Sequence, residues 1–158
     1  MDHLEVECVL KKRELYDALL HKHYNGVVGI LTTLLGLLLL AGYLNNRSIL
    51  FAVLGIVIIV ALPVYVYLKA GNQLNHSKEV HYIFECREQG IVISEKGAKS
   101  DYSWELVKKV VSTSRSVLIY LENGKQIVVP RKNLGVKFAQ LFIMMTSNLK
   151  PNKIRIRQ

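Results

Sequence analysis

Charge is missing from two long stretches of this chain. From Gly26 to Leu44 nineteen residues pass without an ionisable side chain other than Tyr43, and from Ile49 to Leu68 twenty more hold only Tyr65 and Tyr67. A helix rises about 1.5 Å per residue, so either run can cross about 30 Å of hydrocarbon. Neither has a polar face, which excludes a surface helix of a water-soluble domain. With no Asp, Glu, Lys, Arg or His inside them, two such helices make a poor transporter or channel alone. Cysteine is scarce too. Cys8 and Cys86 stand apart without metal-ligand spacing, so they exclude a disulfide framework and read as small buried apolar residues. The chain also lacks a Gly-rich phosphate loop, a GxSxG elbow and an HExxH pair. Its acids Glu85, Glu88, Glu95, Asp101, Glu105 and Glu122 fall in turns or on alternate strand positions, where solvated faces are expected. None is spaced with a histidine for acid–base work. His21 and His23 do not share a helix face, so they are not expected to hold a metal. No enzyme and no cofactor is expected.

What is present is a hairpin. Asn45-Asn46-Arg47 breaks the two apolar runs. A cleaved signal peptide does not fit, because the first run is followed directly by a second. Lys11, Lys12, Arg13 and Lys22 precede the pair, Lys69 and Lys78 follow it, and the loop holds Arg47 alone. The positive-inside bias therefore predicts that both termini are cytoplasmic. Tyr43 marks one interface; Tyr24, Tyr65 and Tyr67 mark the other. Helices in lipid pair over small residues, and Gly29, Gly36, Ala52 and Gly55 are the candidate packing positions. With the tip at Asn45-Asn46, Gly36 falls opposite Gly55. Pro63 removes a backbone donor within the second run and predicts a kink there.

Around the hairpin the periodicity changes. Leu4, Val6, Cys8 and Leu10 alternate with His3, Glu5 and Glu7, the pattern of a half-buried strand. Lys11 to His23 has helical spacing with a polar side that includes Glu14. Residues 69–79 read as a polar linker. Six short strand patterns then fall between Val80 and Pro130, with Asn123-Gly124 as a hairpin turn. Asn133 reads as the N-cap of a last helix carrying Leu134, Phe138, Leu141, Phe142, Met145 and Leu149. Pro151 ends it, and 151–158 reads as a loose basic tail. The first strand is predicted to join the sheet after the hairpin, since a lone strand is not stable; the competing picture is a free amphipathic N-terminus lying on lipid.

Charge is uneven. Up to residue 68 five Lys or Arg balance five Asp or Glu, and from Lys69 onward sixteen stand against seven. A basic domain tethered to a membrane suits an anionic neighbour, and equally a solvated basic face. The candidate contacts with anionic lipid head groups are Lys96, Lys99, Lys108, Lys109, Arg131 and Lys132. Tyr102, Trp104 and Tyr120 suit sheet packing better than base stacking, so nucleic acid is not an expected partner.

The fold class expected from the residues is a transmembrane α-helical hairpin, 24–68, with a small α+β cytoplasmic domain, 80–150. The run YIF…GIVIS…DYSWELVKKVV…VLIYLENGKQIVVPRKNL…F, with Gly90, Trp104, Leu106, Val110, Pro130, Arg131 and Phe138, resembles the YcxB-like family of bacterial membrane proteins. That resemblance implies a multi-pass protein of the bacterial cytoplasmic membrane. It also implies a PH-like antiparallel sheet of about seven strands closed by a C-terminal helix. It supplies no catalytic residues. Three functions are compatible with these features: an interaction module binding a protein, a peptide or a second copy; a reader of anionic lipid; or an accessory subunit of a transporter.

Overall fold

A computed structural model describes residues 3–73 and 79–155 and divides the chain into two compact units. One comprises the described residues up to Leu15 together with those from Glu79 onward; the other runs from Tyr16 through the two apolar helices.

In the first unit, the alternation of Leu4, Val6 and Cys8 with Glu5 and Glu7 builds strand β1 (Leu4–Lys11), apolar side chains buried and acids exposed. β1 pairs antiparallel along its length with β2 (Glu79–Arg87), Val6 opposite Phe84 and Cys8 opposite Tyr82. Lys11 and Glu79 close the ladder with an ion pair of 2.8 Å. That contact raises the Lys11 pKa and lowers that of Glu79. β3 (Gly90–Glu95) and β4 (Ala98–Ser103) complete a sheet of order β1-β2-β3-β4. At Gly90 a side chain would not fit, since a Cβ there would lie 2.2 Å from the Tyr102 carbonyl oxygen.

A 3-10 turn, Trp104–Leu106, then redirects the chain. Trp104 is buried, and its Nε1–H donates to the Arg87 and Glu88 carbonyls at 3.1 and 3.0 Å. This fastens the turn to the β2–β3 connection. β5 (Val107–Ser112), β6 (Ser116–Leu121) and β7 (Gln126–Pro130) form an antiparallel meander in a second sheet. The expected sheet of about seven strands is thus corrected to two sheets of four, because β4 and β5 do not pair and an eighth strand joins.

That strand is β8 (Ile154–Arg155), parallel to β5. The expected loose tail is therefore ordered over 151–155; a 3-10 turn at Pro151–Lys153 precedes β8. Ile154 packs on the core, and Lys153 Nζ donates to the Val107 carbonyl at 2.6 Å. Residues 156–158 lie outside the described residues. The expected last helix is also altered. Arg131–Leu134 is a short helix, α4, and Lys137–Asn148 a separate one, α5. Gly135, at φ 48°, breaks them, so Asn133 caps nothing. Its Oδ1 instead accepts from the Val9 N–H at 3.5 Å. Leu134, Leu141, Met144 and Met145 join Val6, Phe84, Ile119 and Val129 in one core.

In the second unit, α1 (Lys12–Tyr24) contributes its residues from Tyr16 on. α2 (Val27–Asn46) and α3 (Ile49–Gln73) are long and apolar enough to cross a membrane, and most of their large side chains are exposed. α3 runs past Leu68 to Gln73, so 69–73 of the expected linker is helical. Residues 74–78 lie outside the described residues.

Candidate functional site

A cleft within the first unit opens between the two sheets and measures 640 Å³. The alternation that buries Phe84 puts Val80 and Tyr82 on the same face of β2, and Leu10 lies opposite Val80. Leu10, Val80 and Ile93 line one wall and Ile127 and Val128 the other. Charge is confined to Glu95, Lys96 and Lys125. β4 contributes Ala98, Ser100 and Tyr102, and both β4 and β7 end their sheets. The cleft thus combines an apolar floor, a rim of both charge signs and a terminal strand, β4.

Tyr82 ties the two walls together, its hydroxyl donating to the Val128 carbonyl. Burial pushes its pKa far up, so it is a packing and bridging group and not a proton donor near neutral pH. Burial also raises Cys8 to about 11 and Cys86 to about 12. Sequence reasoning did not single out Leu10, Tyr82 and Lys125 as a group. Strand alternation shows which face each occupies, but which strands face one another depends on pairing between distant segments.

The six basic residues expected to meet lipid are placed on three parts of the fold. Lys96 and Lys99 are exposed at the β3–β4 hairpin, with Lys96 in the turn at φ 48°. Lys108 is exposed on β5, while Lys109 lies over the Tyr120 ring, 4.7 Å from its centroid. Burial pushes the Tyr120 hydroxyl up to about 12. On α4, Arg131 stacks on Phe138 at 4.5 Å and Lys132 pairs with Glu14 at 3.0 Å. Three of the six are thus held by an aromatic ring or an acid. Glu14, expected on a polar side, is buried; its other oxygen accepts from the Lys11 N–H at 3.1 Å, at the start of α1. Glu85, expected on a solvated face, is also buried, and the Arg87 guanidinium covers it through two hydrogen bonds.

In the second unit Gly36 and Gly55 are buried against each other. A Cβ on Gly55 would lie 2.9 Å from the Gly36 carbonyl oxygen, and one on Gly36 2.5 Å from Ile59 Cγ1. Ala52 is half-buried on α3. Gly29 differs from the expectation of hairpin packing. A Cβ there would strike the His23 carbonyl oxygen at 2.2 Å, so its missing side chain admits the end of α1. Elsewhere in this unit α1 meets α3 through Tyr16 and Tyr67, edge to face at 5.9 Å.

Residues 86–144 match the family model described as YcxB-like protein. The match runs from the end of β2 into α5, so that stretch is similar to the YcxB-like family. No curated protein and no solved structure matches the chain.

Proposed function

We propose, for a chain whose residues 86–144 match the YcxB-like family model, a non-enzymatic, membrane-anchored interaction module. In this reading α2 and α3 cross the cytoplasmic membrane of a bacterium as a hairpin with both termini inside. The first unit is a PH-like domain on the cytoplasmic side that takes an extended segment of a protein partner into the cleft between its sheets. The observation that carries this is the cleft itself, apolar along Leu10, Val80, Ile93 and Ile127 and bordered by the terminal strand β4. The exposed apolar surface of α2 and α3 supports the anchor, since such side chains are stable in contact with lipid. The excess of Lys and Arg before α2 and at the end of α3 supports the orientation.

The test is photo-crosslinking in intact membranes from a benzophenone amino acid at position 100, in the cleft, and at position 114, in the exposed β5–β6 turn. The expected result is a discrete protein adduct from position 100 only, abolished by Ala98→Arg, which fills the cleft. Equal adducts from both positions, or adducts insensitive to Ala98→Arg, would overturn the reading.

A further inference from the structure

A second surface lies at the corner between α4 and α5. From Arg131 to the last residue the chain has seven Lys or Arg and no Asp or Glu. Within that stretch Val136 is 95% exposed, the most exposed large apolar side chain among the described residues. Ile143 is exposed as well, seven positions on and therefore on the same helix face, with Ala139 exposed between them. The opposite face, with Leu141, Met144 and Met145, is buried in the core. The outer side of α5 thus carries two apolar side chains, Val136 at its N-cap and Ile143, set among the exposed polar residues Gln140, Thr146 and Ser147.

Cations flank the exposed side. Lys132 and Lys137 are both exposed. Lys132 gives one hydrogen bond to Glu14 and Lys137 one to the Glu5 carbonyl, at 3.0 and 2.9 Å. An ammonium has three N–H donors, so each keeps donors for a phosphate oxygen. A protruding apolar tip beside ammonium groups, in a segment with no acid, complements an anionic bilayer. The apolar side chains enter the boundary of the acyl chains and the cations meet head-group phosphates. A protein groove would accept the same ridge; Glu14 offsets the charge of Lys132, and the remaining cations of a stretch that holds seven Lys or Arg and no acid favour an anionic surface. Covalent continuity with α2 and α3 keeps that surface at high local concentration, so a weak contact suffices.

We propose that the α4–α5 corner docks on an anionic lipid surface, Val136 and Ile143 entering the interface and Lys132 and Lys137 contacting lipid phosphates. This rests on the membrane reading of α2 and α3 and is independent of the peptide cleft.

The test uses the full chain in nanodiscs of phosphatidylcholine, with or without phosphatidylglycerol, carrying nitroxide-labelled lipids. An environment-sensitive fluorescent amino acid is encoded at position 136, at 114 as a control, or at 38 on α2. The expected result is severalfold quenching at 136 by shallow nitroxides in the anionic discs only, lost in high salt and weakened by Lys137→Gln. Position 114 stays unquenched and position 38 is quenched by deep nitroxides in both lipids. Quenching at 38 without quenching at 136 overturns the docking and leaves the membrane reading intact. No quenching at 38 overturns both. Equal quenching at 136 in the two lipids overturns the role of charge. A spectral shift at 136 without quenching assigns the surface to a protein contact and overturns the proposal.

Discussion

Val6 offers a direct measure of how far the first strand supports the domain. It is 3% exposed, faces Phe84 across the β1–β2 ladder and belongs to the common core. Val6→Ala removes two buried methyl groups, each worth about 0.8 kcal/mol in transfer, and leaves a cavity, for a loss of about 2 kcal/mol. Val6→Asp puts a carboxyl group among Leu4, Cys8, Phe84 and Cys86 without a partner and should cost about 4 kcal/mol or more. Glu7 points the other way and is exposed, so Glu7→Ala should change stability by no more than about 0.5 kcal/mol. A domain of this size is stable by about 5–15 kcal/mol, so the three variants should separate clearly. The assay is urea unfolding of the full chain in mild detergent, followed by Trp104 emission. Trp104 is the sole tryptophan and is buried in the same core, so the signal reports on this unit alone. A chain truncated to residues 77–158 lacks β1 and should not melt cooperatively until a peptide of residues 3–15 is added. If Val6→Asp melted with Glu7→Ala, or the truncated chain gave a sharp transition alone, β1 would be dispensable and the reasoning wrong.

Gly55→Leu should force α2 and α3 apart, because a Cβ already meets the Gly36 carbonyl at 2.9 Å. Overpacking of this kind costs about 1–3 kcal/mol, and an unchanged melting temperature in detergent would refute the close approach. A cysteine introduced at Asn46 should react with an impermeant thiol reagent in intact cells and one at Gln73 should not; the reverse pattern would invert the orientation. The native thiols should be slow toward alkylation. With Cys8 raised to about 11, roughly one molecule in a thousand carries its thiolate at pH 8, against about one in four for an unperturbed thiol. Their reactivity should rise with pH well beyond 8, and jump at constant pH on unfolding. Labelling of the folded protein at the unfolded rate would show that neither is buried.

Features written in consecutive residues were the legible ones. Two uncharged runs give α2 and α3 by length and composition, and Asn45-Asn46 places Gly36 opposite Gly55 by counting. The alternation of Leu4, Val6 and Cys8 shows which side of β1 is apolar. Features set by one distant contact were not. Trp104 reads as one more aromatic in a strand pattern, yet its indole N–H on the Arg87 and Glu88 carbonyls ends β4 and opens a second sheet. Ile154 and Arg155 are too few to show a period, and only β5 makes a strand of them. Glu14 and Glu85 look solvated because an acid's burial depends on its partner, here Lys132 and Arg87, and the first of these lies over a hundred residues away. Gly29 looks like a hairpin glycine because its neighbour on α1 precedes α2 by only a few residues and shares no pattern with it. The same distinction bears on the two binding surfaces. The α4–α5 corner is contiguous in sequence, so its exposed Val136 beside Lys132 and Lys137 can be sought in any chain of this pattern. The cleft draws on β1, β2, β3, β4 and β7, so a substitution at Leu10 and one at Ile127, over a hundred residues apart, should alter the same binding event. Double variants at those positions should therefore be non-additive in binding while remaining additive with changes at Val136.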